Sequence, residues 1–384
     1  MIPRKLEQAL LHRASKYPAV FLTGPRQSGK TTLLKYSFPK HQFVSLEDPD
    51  LREFALSDPR GFLKFIGDAA IIDEAQNAPE LFSYLLGKID ASSKTGRYLL
   101  SGSQNFLLME KVSQTLAGRV GVLNLLPFSH GELTDAQIAP ATLDGWLFSG
   151  AYPRIYDQNI EPSLFYADYT RTYVERDVRS IQSIENVNTF VRFVRLCAGR
   201  IGQILNYQSL ANDCGISVIT VRKWLSILEA SFVAYLLPPY YKNFNKRLIK
   251  SSKLYFHDTG LACYLLGLSN SAQLDLHYMR GALFENMVIN EYMKSRYNAG
   301  FQPNAYFWRD SNKQEIDLLI EHDGKTTLIE IKSSQTFQQR FFSTLDKVGG
   351  LMQAAPENRY VIYAGDMHLS KERGTLVPWQ DFCV

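Results

Sequence analysis

Residues 21–34 read FLTGPRQSGKTTLL. The apolar run AVFL at 19–22 predicts a strand, and TTLLKYSF from Thr31 predicts the start of a helix. Between them Gly24, Gly29, Lys30 and Thr31 fit G-x-x-x-x-G-K-[ST], in the strand–loop–helix setting that this motif needs. Glycine lets the backbone curl so that several N–H groups face inward as a nest for anions. The helix that follows adds its free N-terminal N–H groups and the positive end of its dipole. Gly24, Pro25, Arg26, Gln27, Ser28, Gly29, Lys30, Thr31 and Thr32 are therefore the candidate phosphate cradle of an ATP site. Lys30 is placed to reach the β- and γ-phosphates and the Thr31 hydroxyl to bind Mg²⁺.

A second strand supports this reading. In DAAIIDEAQNAP (68–79), Ala69 to Ile72 is a short apolar run of the kind buried on both faces. It ends in Asp73-Glu74, at the strand end where α/β sheets place their sites. Asp73 is the candidate Mg²⁺ residue, acting directly or through water, and Glu74 the residue that polarises the attacking water. RYLLSGSQN (97–105) reads as a third strand. Its Ser103, Gln104 and Asn105 suit contact with the γ-phosphate or the water, and suit ordinary turn chemistry equally. Strands alternating with helical segments imply an α/β fold: a parallel sheet with helices on both faces.

The sequence of motifs GPRQSGKTT, AAIIDEAQ, YLLSGSQN, LAGRV, LLPFSHGEL, GAYPRIY and YVERDV resembles prokaryotic AAA-superfamily ATPases whose C-terminal domain is of unknown function. The resemblance spans nearly the whole chain. It implies an arginine that reaches the γ-phosphate, often from a neighbouring subunit, and so a possible homo-oligomer. Arg119 in LAGRV is the first candidate and Arg176 in YVERDV the second.

Composition sets the limits. The chain has 384 residues, 45% of them apolar, and a net charge of +4. That length suggests two or three domains, and the apolar content excludes wholesale disorder. The weak positive charge is compatible with nucleic acid without requiring it. Cys197, Cys214, Cys263 and Cys383 form no C-x-x-C pair and no zinc spacing, and read as reduced thiols. No apolar run approaches 18 residues, which excludes a membrane-spanning helix. MIPRKLEQALLHRASKYP (1–18) lacks the apolar core of a signal peptide, so a cytoplasmic location is expected.

The character changes at 205–237, LNYQSLANDCGISVITVRKWLSILEASFVAYLL. Gly215 marks a turn, Ser217 is a candidate N-cap, and Val218, Val221, Leu225 and Leu228 recur at helical spacing. The pattern is a helix-turn-helix, with Thr220, Arg222 and Lys223 facing outward on its second helix. FVAYLLPPYYKNFNKRLIKSSKLYFHD then reads as two strands around a loop, a wing. Lys242, Lys246, Arg247, Lys250 and Lys253 are its basic residues, with Tyr240, Tyr241 and Phe244 at its start. Such a stretch suits DNA contact, and winged helices also serve as protein-interaction modules. His257 has no partner motif and reads as structural.

KQEIDLLIEHDGKTTLIEIKSS (313–334) contains Asp323-Gly324, a two-residue hairpin turn. The register that this turn sets puts Asp317 opposite Glu330 and Lys332 opposite Glu315. Directly opposed Cβ atoms lie about 5 Å apart, and like charges there are unfavourable. A divalent cation held by both carboxylates would offset this, with Lys332 beside Glu330 on the same face. The spacing D-x(12)-E-x-K resembles the PD-(D/E)XK nuclease superfamily, although Ile316 stands where that family has proline. The resemblance implies a third, helical carboxylate, Glu285 in RGALFENMVINEYMK, a metal set of Glu285, Asp317 and Glu330, and catalysis by Asp317, Glu330 and Lys332. The alternative is a solvated hairpin with a Glu315–Lys332 ion pair and no metal.

The expected organisation is an ATPase domain at 1–160, a helical and winged-helix module at 161–270, and a small α/β nuclease-like domain at 271–384. The expected function is ATP hydrolysis coupled to action on DNA, with metal-dependent cleavage as one possible outcome. The rivals are an ATP-gated DNA-binding or signalling switch with an inert nuclease fold, and a partner-remodelling ATPase.

Overall fold

A computed structural model describes residues 2–102, 116–174, 186–241 and 251–382. Ser103, Gln104, Asn105, Arg176, Lys242, Phe244, Lys246, Arg247, Lys250 and Cys383 lie outside the described residues.

The first unit is a sheet of five parallel strands: β1 (Ala19–Thr23), β2 (Gln42–Ser45), β3 (Ala70–Asp73), β4 (Tyr98–Gly102) and β5 (Val120–Asn124). Their order across the sheet is β2-β3-β4-β1-β5. Every residue of β1, β3 and β4 is buried, because helices cover both faces. Alternate residues of β1 go to opposite cores. Ala19 and Phe21 pack with Phe62, Leu81, Phe82 and Leu85. Val20 and Leu22 pack with Leu6, Leu10, Leu33 and Leu34. Two apolar faces explain why these strands read as unbroken apolar runs rather than alternating ones.

A helical region follows from residue 143, and it contains the ribbon of β6 (Ala234–Leu237) and β7 (Lys253–Phe256), paired antiparallel. The helices Tyr207–Cys214 and Val218–Ala230 meet at Gly215, which adopts φ 71° and closes the first helix. The Ser217 side chain accepts the Thr220 N–H and caps the second. Val221, Leu225 and Leu228 are buried, whereas Val218 is only half-buried.

The last unit is a six-stranded mixed sheet: β8 (Ala305–Arg309), β9 (Glu315–His322), β10 (Lys325–Lys332), β11 (Arg359–Tyr363), β12 (Leu369–Lys371) and β13 (Gly374–Pro378). The order is β12-β13-β11-β10-β9-β8. The helix Arg280–Asn298 packs against β10, and Ser343–Met352 packs against β9 and β10. One apolar cluster runs from Phe128 and Leu133 through the middle helices into Leu283, Met287 and Ile329. The helical region and the last sheet are thus joined by a shared core.

The β9–β10 hairpin has the expected register, with His322 paired to Lys325 and Leu318 to Ile329. Asp323 and Gly324 have φ of 50° and 74°, as a tight hairpin turn with positive φ at both central residues requires. Paired backbone ends at Leu318–Ile329. Beyond it the Asp317 carboxylate accepts the Ile331 N–H at 2.8 Å.

Candidate nucleotide site and carboxylate cluster

The P-loop leaves β1 at its C-terminal end and enters the helix Lys30–Ser37. Gly24 has φ 147°, and a Cβ there would lie 2.2 Å from the Leu125 carbonyl oxygen. Only glycine fits both demands. Gly29 has φ 93°. The loop borders a cavity of about 370 Å³ lined by Arg26, Gln27, Gly29, Lys30, Thr31, Thr32 and Glu74. Its opposite wall is Ile2, Arg4, Phe128, Pro153, Arg154, Asp157 and Gln158. The cavity therefore lies between the parallel sheet and the first middle helices.

Lys30 Nζ is buried and donates to the carbonyls of Gly24 at 3.0 Å and Pro25 at 2.8 Å. Burial lowers its pKa to about 8, opposed by the nearby Glu74 and Asp73 carboxylates. The Thr31 hydroxyl donates to the Asp73 carboxylate at 3.0 Å. Ser101 on β4 also donates to Asp73. Glu74 has φ 52° and accepts from the Gln76 amide.

The residues present fit a nucleotide and Mg²⁺. Two buried hydroxyls, Thr23 Oγ1 at the end of β1 and Ser28 Oγ in the loop, have no hydrogen-bond partner among the described residues. A buried polar atom without a partner is costly, and a phosphate group beside them would supply one. Thr31 and Asp73 already face each other with the oxygen donors that Mg²⁺ prefers.

Three contributors were not singled out from sequence. Arg4 is buried, and donates to the Ser28 carbonyl at 2.8 Å, the Leu126 carbonyl at 2.7 Å and Glu132 at 3.1 Å. It braces the P-loop from the N-terminal segment. Arg154 stands in GAYPRIY and forms part of the cavity wall. Ser101 orients Asp73 from within RYLLSGSQN. No local pattern marks an arginine as facing a distant loop; only the chain's return to the site does.

Arg119 lies just before β5, whose first residue pairs with Ala19 at the start of β1. It is thus at the sheet edge opposite the P-loop, exposed, and paired with Asp90 at 2.5 Å. The cavity of its own chain is out of its reach.

The carboxylate cluster gathers at the hairpin, and it corrects one expectation. Lys332 does not pair with Glu315. Its ammonium lies 2.5 Å from Glu330 and 3.8 Å from Asp317. Glu315 pairs instead with Arg309 on β8 at 3.0 Å and with Lys253 on β7 at 2.6 Å. The register past Leu318 gives way to these longer-range contacts.

The metal set expected here was Glu285, Asp317 and Glu330. Among the described residues, no group of three or more His, Cys, Asp or Glu side chains is placed to hold a metal ion. Glu285 accepts from Lys253 Nζ at 2.9 Å and from the Tyr255 hydroxyl at 2.5 Å. The residues therefore do not fit a divalent cation here, because an ammonium stands among the carboxylates. Burial and the neighbouring Asp317 push the Glu330 carboxyl up to about 8. Burial opposes charge on Lys253, but Glu285, Asp317 and Glu315 outweigh it and hold the ammonium above the usual lysine range.

The outward face of the second helix carries Arg222 and Lys223, both exposed. Arg222 stacks over the Tyr207 ring at 4.4 Å. His257 is buried, and burial lowers its pKa to about 3, so it is a neutral core residue. Cys197, Cys214 and Cys263 are free thiols. Among the described residues no helix is long and apolar enough to cross a membrane.

A parallel sheet, a P-loop with its helix, and an acidic strand end facing Thr31 define a P-loop ATPase. Residues 16–134 match the AAA domain family. Residues 140–272 and 280–382 match two domains of unknown function, DUF8612 and DUF4143. Uncharacterised proteins of Mycobacterium tuberculosis and Mycobacterium bovis are each 32% identical over 343 residues, covering 88% of this chain and 75% of the relative. The chain belongs to this family of prokaryotic AAA-superfamily ATPases. Among solved structures, a Walker-type ATPase of Pyrococcus abyssi is 15% identical at TM-score 0.43, covering 69% of this chain and 96% of its own. RuvB of Thermotoga maritima is 17% identical at TM-score 0.29, covering 61% and 86%. Likeness at those scores carries no argument about activity.

Proposed function

We propose that the protein hydrolyses ATP and acts on DNA. The observation that carries the first half is the convergence of Lys30, Thr31 and Glu74 on one cavity of about 370 Å³, with Asp73 hydrogen-bonded to Thr31. Lys30 exchanges its two carbonyl partners for the β- and γ-phosphates. Thr31 and Asp73 would hold Mg²⁺, which would supply charge stabilisation for the leaving group. Glu74 orients and polarises the water that attacks the γ-phosphorus. The stretches lining the opposite wall, up to Gln158, give the nucleotide a route to the middle helices.

DNA contact is supported by the exposed Arg222 and Lys223 and by the basic residues between Lys242 and Lys250. The test combines two measurements on the full chain. Phosphate release with Mg²⁺ is expected, and duplex DNA is expected to bind with an affinity that falls as salt rises. Neutralising Lys246, Arg247 and Lys250 together should weaken binding and flatten the salt dependence, by up to about 0.9 for each phosphate that is no longer neutralised. Absence of phosphate release would overturn the ATPase reading. Unchanged affinity and slope would favour the partner-remodelling ATPase, with the ribbon as an assembly surface.

A second reading, metal-dependent DNA cleavage at Asp317, Glu330 and Lys332, is favoured by the close approach of those three side chains. Lys253 stands against it.

A further inference from the structure

The middle ribbon delivers one side chain into the acidic part of the last sheet. Lys253 opens β7 and is 1% exposed. Its ammonium lies 2.6 Å from Glu315 Oε1 and 2.9 Å from Glu285 Oε1. Its partners come from separate parts of the chain, Glu285 on the helix Arg280–Asn298 and Glu315 at the start of β9. The Phe307 ring closes the site from β8 at 5.5 Å. β7 is held on both sides, by β6 and by the segment 201–205, where Ile204 bridges Lys253.

Cations already stand among the carboxylates at this point. Glu285, Glu315, Asp317 and Glu330 are met by Lys253, Arg309 and Lys332. A lysine buried this deeply is retained only where carboxylates compensate its lost hydration. A divalent cation drawn to the same carboxylates would meet the ammonium first.

We propose that Lys253 takes the place of a divalent cation: seated between Glu285 and Glu315, its ammonium closes the carboxylate cluster to divalent metal. The proposal rests on the nuclease-like reading of the sheet but is independent of whether DNA is cut, since its test reads metal binding.

The probe is Mn²⁺ alone, titrated without nucleotide into the full chain and followed by the free Mn²⁺ resonance signal and by thermal melting. Labelling of Lys253 by an amine-reactive reagent is read in parallel by mass spectrometry. The parent should leave Lys253 unlabelled and bind Mn²⁺ at this cluster at least tenfold more weakly than Lys253→Met. The site gained in Lys253→Met should vanish when Asp317→Asn is added. Glu315→Gln removes one of the ammonium's two anchors, and should gain the same Asp317-dependent site if Lys253→Met fails to fold. Folded variants that gain no Mn²⁺ site would overturn the proposal. So would a parent that binds Mn²⁺ in an Asp317-dependent way while Lys253 stays protected. Absence of DNA cleavage in an open, metal-loaded variant would instead overturn only the nuclease reading.

Discussion

Lys30 carries a pH dependence whose sign can be worked out. Burial lowers its pKa to about 8. Phosphate beside it favours the ammonium and raises that value, so above pH 8 nucleotide binding takes up a proton. The contribution is fully present below about 8 and is lost as pH rises toward the pKa of the bound state. Affinity for a fluorescent ATP analogue should therefore be flat from pH 6.5 to 7.5 and fall by up to about tenfold per unit above 8. Lys30→Met should bind weakly with no such slope; a slope that persists in it would assign the titration to another group. Glu74→Gln should still bind ATP and hydrolyse it about 10²-fold or more slowly, the usual scale for loss of a positioned base. Hydrolysis at the parental rate would remove Glu74 from that role. The motif was legible at Lys30, Thr31, Asp73 and Glu74 because their spacing is local. Arg4 and Arg154 were not, since nothing near them in sequence records what they face.

Among the elements, the P-loop depends most on one position. Gly24 combines φ 147° with a carbonyl oxygen where a Cβ would stand. Gly24→Ala should cost about 2–3 kcal/mol of stability or more, since backbone strain and a clash with the chain leaving β5 act together. Denaturant unfolding reads it directly, and a midpoint within error of the parent would show that this segment can yield. The β9–β10 hairpin was as legible as the P-loop, because Asp323-Gly324 sets the register through backbone conformation alone. What the turn could not set was the end of the ladder. Asp317 leaves the pairing to take the Ile331 N–H, and Glu315 turns to Arg309 and Lys253. Charge opposition read from register alone pointed to a cation here, and the ammonium groups of Lys332 and Lys253 meet these carboxylates.

For the assembly as a whole, Arg119 is the informative residue. It sits at the sheet edge away from its own P-loop, so any contact with a γ-phosphate has to be made in a neighbouring chain. We predict that Arg119→Ala lowers turnover by about 10³-fold, the lower range for an arginine supplied in trans. Mixing it with Lys30→Ala should restore part of the activity, because each chain supplies what the other lacks. Turnover per chain should also rise with protein concentration. Activity from a monomer, unchanged on dilution, would exclude the arrangement and leave Arg119 as a surface partner of Asp90.

The sequence alone was enough for whatever depends on neighbours along the chain. The nucleotide loop, the strands buried on both faces, the capped helix pair around Gly215 and the tight hairpin all follow from periodicity and from the backbone freedom of glycine. The tertiary structure decided which charges meet. Arg4 braces the P-loop through Ser28, Arg119 is kept from its own site, and Lys253 fills the carboxylate cluster. Those outcomes depend on how separate elements pack, and a charged side chain's partner is chosen by that packing rather than by its position in the chain.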